Sequence, residues 1–299
     1  KKDLEKAVEL KIDWIALSFV RLSEDILPIN KILNKHKVKI PIIAKIEKPE
    51  AIDNLNDIIN EFQGILIARG DLGVELPLSK LPIIQKNIIE KCRQLKKPVI
   101  VATQMLESMI DNSTPTRAEI NDIANAVFEE TDAVMLSGET AVGSYPIESV
   151  IMMKSIINDV EENTFYNNVR ENVIKFDDDT RSAIGASVKT ISERLNLNAI
   201  VVMTESGSTA RIVAHFRPRV NIFAFTPHLN ICRQMELLWG ITPLLINECL
   251  TTDDMLVATE KLLLDYKYIN NGDIFVLTAG IPIGVSGATN MLKIQKIKE

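Results

Sequence analysis

Between Asp13 and about Val160 the chain alternates short β-branched runs with longer stretches in which apolar positions recur every three or four residues. The runs are DWIALSFV, PIIAKIE, GILIARGD, PVIVATQ and AVMLSGE, and each predicts a strand. Each is apolar on both faces and the intervening segments are amphipathic, so the expected sheet is parallel and buried between helices. Polar residues gather where the runs stop: Ser18, Lys45 and Glu47, Arg69 and Asp71, Thr103 and Gln104, Ser137 and Glu139. Every predicted strand thus delivers its chemistry at its C-terminal end. That is the rule in a (β/α)8 barrel, but an open doubly wound sheet reads as the same repeat, so periodicity alone fits either. A whole barrel needs eight strands in ~250 residues, whereas five are visible in this region. The stripe Ile83, Ile84 and Ile88 follows helical spacing and predicts core.

From Glu161 to Thr180 the rhythm breaks, with NTFYNN and KFDDDT, and a linker is expected at residues 163–180. Its run Asp177-Asp178-Asp179 reads as solvated chain rather than a metal site. The segment ahead of it, 1–162, is the expected partial barrel. Residues 181–299 resume the alternation: a helix near Ser182 to Leu195, strand NAIVVM, a helix from Ser208, strand VNIFAF, a helix near Asn230, strand TPLLI, a helix from Asp253 to Lys267, strand DIFVLT and a last strand near Met291 to Ile297. This predicts a second, smaller α/β domain with a mostly parallel sheet.

Composition narrows the function classes. A net charge of -6 argues against general nucleic-acid or anionic-membrane binding, which needs a cationic surface. The hydrophobic content of 46% and charged content of 25% are those of a folded globular chain. Three cysteines, Cys92, Cys232 and Cys249, stand far apart with no CxxC, which excludes zinc and disulfide scaffolds and fits a reducing, cytoplasmic setting. No apolar run approaches the ~20 residues of a membrane span. The opening Lys1-Lys2-Asp3 reads as a chain cut within something longer, which leaves a plastid-targeting extension open.

Strand alternation puts Lys45 and Glu47 on one face with Ile46 on the other. Alone, such a pair is an ordinary salt bridge. At the end of an apolar strand its burial would be costly without a role, and a metal-bound phosphoryl group would supply one. In GILIARGDLGVELP, Gly70 and Gly73 free the backbone as a helical turn begins, so N–H groups can converge on an anion while Asp71 adds a hard oxygen ligand. Glu47 with Asp71 favours a divalent cation, Mg²⁺ before others. Thr103 and Ser137 end their strands with hydroxyls able to bond a carboxylate or relay a proton. In TPTRAE, Thr116 is the expected N-cap and Arg117 occupies the first helical turn, where a cation opposes the helix dipole; spacing alone fits an anionic partner and a plain surface arginine equally. His36, His215 and His228 fall outside the strand-end set and receive no catalytic role.

Together IIAKIEKPEAI, GILIARGDLGVELP, KPVIVATQMLESMI, PTRAEINDIANAVFEETDAVMLSGETAVGSYP and TESGSTARIVAHFRPRVNIFAFTP resemble the pyruvate kinase family over essentially the whole chain. The resemblance implies phosphoryl transfer from phosphoenolpyruvate to ADP, with Mg²⁺ or Mn²⁺ and K⁺, in a homotetramer. It implies that Lys45 stabilises the transferring phosphoryl group and the enolate oxygen, and that Glu47 and Asp71 ligate the divalent metal. Ala68, Gly70 and Asp71 with Thr103 resemble the substrate-carboxylate cradle, and Thr103 with Ser137 the proton path to the enolate carbon. Arg117 resembles an arginine at the subunit interface that supports the neighbouring active site, and Ser18 a residue close to the monovalent cation. With no acid suited to neutral pH in view, a hydroxyl and water relay is expected rather than a histidine.

The same resemblance makes the chain a C-terminal portion, with the first three barrel strands and a lid domain missing. The portion alone is therefore expected to be inactive, with open parallel edges. Thr204, Ser206, Gly207, Ser208 and Thr209 form a hydroxyl and glycine loop suited to phosphate, and Gly284, Val285, Ser286 and Gly287 resemble a loop that closes over a phosphorylated allosteric effector. Glu205 is a departure, because members activated by sugar bisphosphates can carry lysine there and a carboxylate repels phosphate. Two other readings compete: another Mg²⁺-dependent barrel handling phosphoenolpyruvate or an enolate, and a non-catalytic effector-binding module.

Overall fold

Strand formation follows the β-branched runs in the computed structural model, which describes residues 2–163, 179–285 and 287–298. The chain divides into two units, Lys1–Val173 and Ile174–Glu299. Most of the expected linker and Ser286 lie outside the described residues. No helix among the described residues is long and apolar enough to cross a membrane.

The first unit holds β1 (Ile15–Leu17), β2 (Ile42–Ile46), β3 (Gly64–Ala68), β4 (Val99–Ala102) and β5 (Ala133–Met135). They pair in parallel in the order β1-β2-β3-β4-β5. Sequential order with no reversal is the winding of a barrel segment, whereas a doubly wound sheet reverses at a switch point. This resolves the ambiguity that periodicity leaves. One strand face, formed by Ile42, Ala44, Ile46, Ile65, Ile67, Val99 and Val101, joins the core under the flanking helices. The other carries Ile43, Leu66, Ala68, Ile100 and Ala102, also buried. Lys45, partly buried, belongs to this second face by alternation.

The helix Leu81–Gln94 corrects the isoleucine stripe. It buries Gln85, Ile88, Ile89 and Cys92, while Ile83 is 73% exposed. At 100° per residue Ile83 lies about 140° from Ile88 whereas Ile84 lies about 40° from it, so Ile84 packs against the core and Ile83 does not.

The second unit contains β6 (Ala199–Met203), β7 (Ile222–Thr226), β8 (Ile241–Leu245), β9 (Ile274–Gly280) and β10 (Thr289–Lys296), ordered β10-β9-β6-β7-β8 with only the β9–β10 pair antiparallel. Ile200 and Val202 face a core with Val188, Ala210, Val213 and Met235. Ala199, Val201 and Met203 face another with Met255, Leu256 and Leu263. Helices therefore cover both faces of the sheet, the three-layer arrangement that continuous apolar strands require. Asp179, last of the acidic run, caps the helix Thr180–Arg194 by accepting from the amides of Arg181 and Ser182.

Candidate functional site

Register alone gathers the strand-end groups. Ala16 lies opposite Ile43 and Leu17 opposite Ala44, so Ser18 emerges beside Lys45. The Lys45 Nζ donates to Ser18 Oγ at 3.0 Å and stands 2.5 Å from Glu47 Oε1. The second oxygen of Glu47 accepts from the Phe19 amide at 2.6 Å. Glu47 is only 1% exposed. Taking such a carboxylate out of water costs several kcal/mol, and the ammonium and amide offset this without making the pair a net stabiliser. The arrangement is a buried anionic socket already holding a cationic group.

On β3, Ile67 lies opposite Ile46, which sets the Ala68–Asp71 turn beside Glu47. The helix Arg69–Glu75 begins directly after the strand, as expected of this glycine-bearing turn. Asp71 is exposed, and its carboxylate has no hydrogen-bond or ion-pair partner among the described residues. The donor set of Glu47 and Asp71 is hard oxygen and fits Mg²⁺, which completes its shell with substrate oxygens and water. Among the described residues no group of three or more His, Cys, Asp or Glu is assembled to hold a metal by protein side chains alone.

Thr103 is placed in a way that alternation does not anticipate. Continuing β4, it would follow Val101 into the helix layer. Instead Thr103 and Gln104 both adopt left-handed backbone, φ 70° and 54°, and the threonine hydroxyl meets the helix that follows β3. Its Oγ1 accepts from the Gly70 amide at 2.7 Å and donates to the Ala102 carbonyl at 2.6 Å. Ser137 lies two residues past β5, partly buried, and its amide donates to Glu139 Oε2 at 2.7 Å. The other oxygen of Glu139 accepts from the Leu106 amide at 3.2 Å. Glu139, 3% exposed, thereby links the loops after β4 and β5. Its sequence shows only one more polar residue at a strand end. Nothing local announces burial.

Arg117 opens the helix Arg117–Phe128 and is exposed, with no hydrogen bond or ion pair to the Lys45 group among the described residues. Thr116 is the N-cap, as its sequence predicts, in a reciprocal capping box with Glu119. Burial pushes the Glu119 carboxyl up, but bonds from the side chains and backbone amides of Ser108 and Thr116 outweigh it and hold the group below the usual 4.5.

The second unit has its own cavity, 460 Å³, at the C-terminal ends of β6, β7 and β9. There β6 has β7 on one side and β9 on the other, the reversal point at which open α/β sheets bind ligands. Thr204, Ser208, Thr209, Gly284 and Gly287 line it, whereas Ser206 and Gly207 belong to the adjoining turn. Gly207, φ 76°, caps the helix Ser208–His215. The Thr204 hydroxyl is buried without a hydrogen-bond partner among the described residues, and Thr209 Oγ1 meets Thr289 Oγ1 at 2.7 Å. His228 corrects the expectation that the histidines lie away from strand ends: it sits two residues past β7 and its Nε2 is 2.8 Å from Glu205 Oε2 across the cavity wall.

A parallel barrel segment with lysine, carboxylates and hydroxyls at its strand ends, followed by a doubly wound domain with a cavity at its switch point, defines a two-domain α/β protein whose polar groups gather at strand ends. The sequence profile of the pyruvate kinase barrel domain matches residues 1–150, and that of the pyruvate kinase alpha/beta domain matches residues 182–295. The chain belongs to the pyruvate kinase family. It is 43% identical over 300 residues to a pyruvate kinase of Clostridium acetobutylicum, covering 100% of this chain and 63% of the relative. Pyruvate kinase 2 of Synechocystis is 42% identical over 298 residues, 100% of this chain and 50% of the relative. A pyruvate kinase of Staphylococcus epidermidis is 43% identical over 296 residues, 99% of this chain and 51% of the relative. The chain thus spans between half and two thirds of the length of these curated relatives.

Proposed function

We propose that this chain supplies the second part of the catalytic barrel and the regulatory domain of an enzyme that transfers the phosphoryl group of phosphoenolpyruvate to ADP. The observation that carries the reading is the buried Glu47 paired with Lys45 beside the Ala68–Asp71 turn in a barrel segment of this family. Lys45 faces the transferring phosphoryl group and the enolate oxygen, where its charge neutralises what develops there. Glu47 and Asp71 are the residues that hold Mg²⁺ or Mn²⁺, and the ion supplies charge neutralisation on the phosphoryl oxygens when bound. Ser18 stands in the vicinity of K⁺. The backbone at Ala68, Gly70 and Asp71, with Thr103, cradles the substrate carboxylate, and Thr103 and Ser137 lead a proton to the enolate carbon through hydroxyls and water.

Arg117 supports the active site of a neighbouring subunit in a homotetramer of cytoplasmic enzyme. The second-unit cavity, lined by Thr204, Ser208 and Thr209 and by Gly284 and Gly287, takes a phosphorylated effector. Five strands leave the barrel incomplete, so the 299-residue chain alone is expected to be inactive.

A coupled assay of pyruvate formation from phosphoenolpyruvate and ADP tests this, comparing the full-length parent with the chain, with and without Mg²⁺ and K⁺. Activity in the parent, its loss by at least a thousandfold in Lys45→Met, and silence of the chain are expected. A folded parent that is silent with every metal would sink the reading and leave effector binding as the protein's role.

A further inference from the structure

Two adjacent left-handed residues, one of them β-branched, need an external hold, because such strained backbone states persist only where the surrounding structure over-determines them. The hold on Thr103 and Gln104 is Arg69. Its Nη2 donates to the Thr103 carbonyl at 2.7 Å and the Gln104 carbonyl at 3.2 Å, and lies 2.9 Å from Met105 Sδ. Its Nη1 pairs with Asp122 of the helix Arg117–Phe128. The side chain is 11% exposed, and its Nε is buried without a hydrogen-bond partner among the described residues. A buried N–H left orphaned while the other end of the guanidinium is saturated indicates that the carbonyl contacts decide where Arg69 sits. The residue after Arg69 donates its amide to the Thr103 hydroxyl. One short segment therefore fixes both the threonine backbone and the direction of its Oγ.

We infer that Arg69 is a positioning residue: by bridging the Thr103 and Gln104 carbonyls it keeps that turn left-handed and the Thr103 hydroxyl seated on the Gly70 amide. Its meaning for catalysis rests on the proposed phosphoryl-transfer reading; the clamp itself does not. A purely structural role for Arg69 would run through the Asp122 ion pair instead, and the two can be separated.

The chain contains 12 glycines, so glycine-selective ¹⁵N labelling of the 299-residue chain isolates the Gly70 amide for hydrogen-exchange measurement by NMR. In Arg69→Gln that amide is expected to exchange at least tenfold faster, with Gly185 and Gly207 in the second unit unmoved. Adding Gln104→Gly, which makes the left-handed turn cheap without an arginine, should recover most of the lost protection. Asp122→Asn should leave it within about threefold. Unchanged exchange in Arg69→Gln, no recovery with glycine at position 104, or an Asp122→Asn effect equal to that of Arg69→Gln would each overturn the clamp. If Arg69→Gln unfolds the first unit, Arg69→Lys decides. Lysine keeps the charge but cannot bridge two carbonyls while pairing with Asp122, so full protection in that variant also overturns it. In the full-length enzyme, kcat should fall at least tenfold in Arg69→Gln, with KM for phosphoenolpyruvate changed far less, and recover with the glycine. Lys45→Met is the control for the reading: if it retains activity the reaction assignment fails, whatever the Gly70 exchange shows.

Discussion

Gly185 sits in the middle of the helix Thr180–Arg194, buried against the helix Ser208–His215 whose N-terminus borders the second-unit cavity. Replacing it by alanine sets two effects against each other. Helix propensity favours alanine over glycine by about 1 kcal/mol. Against that, a Cβ at this position would stand 2.8 Å from Ile212 Cγ2, 2.8 Å from Phe216 Cε2 and 2.9 Å from Phe216 Cδ2. Neither neighbour has room to retreat, since Ile212 is 6% and Phe216 1% exposed. Overpacking of this kind costs about 1–3 kcal/mol, and three contacts on two immobile side chains put it in the upper part of that range. The expected net loss is about 1–2 kcal/mol, a fall of roughly 0.5–1 M in the urea midpoint at an m of about 2 kcal/mol per M. In a Trp14→Phe background Trp239 fluorescence follows the second unit alone, so the transition is not mixed with that of the first. Adding Phe216→Leu should give a double-mutant coupling of about 1 kcal/mol in favour of the pair. A midpoint raised by Gly185→Ala, or no coupling to position 216, would refute the packing argument.

Four further outcomes follow from the same structure. The lowered folded pKa of Glu119 means its contribution is present above the unfolded value of 4.5 and lost as pH falls through the folded one, so Glu119→Gln should destabilise the first unit at neutral pH. The gap to wild type should then close on acidification, as read from urea midpoints against pH; a gap that widens contradicts the sign. Burial raises the thiol pKa of all three cysteines, with Asp132 adding to it at Cys92, Glu236 at Cys232 and Asp254 at Cys249. Ellman titration of the native chain should nevertheless count the two partly exposed thiols and reach Cys92 only on unfolding. Glu205→Lys should tighten binding of a sugar bisphosphate to the second unit at least tenfold by calorimetry, since one unit-charge pair ~6 Å apart at an effective dielectric of ~40 is worth roughly 1.4 kcal/mol and the substitution reverses its sign. Because Lys45 occupies one oxygen of Glu47, Lys45→Met should strengthen Mg²⁺ binding to the chain and Glu47→Gln should weaken it, and Mg²⁺ calorimetry showing the opposite order would remove Glu47 from the metal site.

The elements were legible because each strand is a short apolar run and each helix keeps a 3.6-residue period. The side-by-side exit of Lys45 and Glu47 was legible from strand parity alone. Strand order was not, since βα repeats are common to both windings and only the pairing Ile15↔Ile42 through Ala102↔Met135 separates them. Thr103 could be named as a strand-end hydroxyl but not aimed. Left-handed backbone is signalled by glycine or asparagine, and here neither residue is one, because the conformation is imposed by Arg69 from 34 residues away. The Leu106–Glu139 bond and the Glu205–His228 pair were hidden for a related reason: the partners are distant in sequence and become neighbours only at adjacent strand ends.

The two units place their polar groups by one physical device. In each, the strands that meet at the site are parallel and covered by apolar layers, so a charged side chain is favoured where the ladder ends rather than along it. There the backbone amides just past the strand are free of the ladder and can serve as donors. Glu47 takes the Phe19 amide, Glu139 takes those of Leu106 and Ser137, and Thr103 takes that of Gly70. Anionic and hydroxyl oxygens are thereby fixed on rigid elements before any ligand arrives, which is what phosphoryl transfer asks of a protein: positioned charge rather than covalent chemistry. In the second unit the same strand ends leave Thr204 unsatisfied beside a cavity, while Glu205 and His228 satisfy each other on its wall.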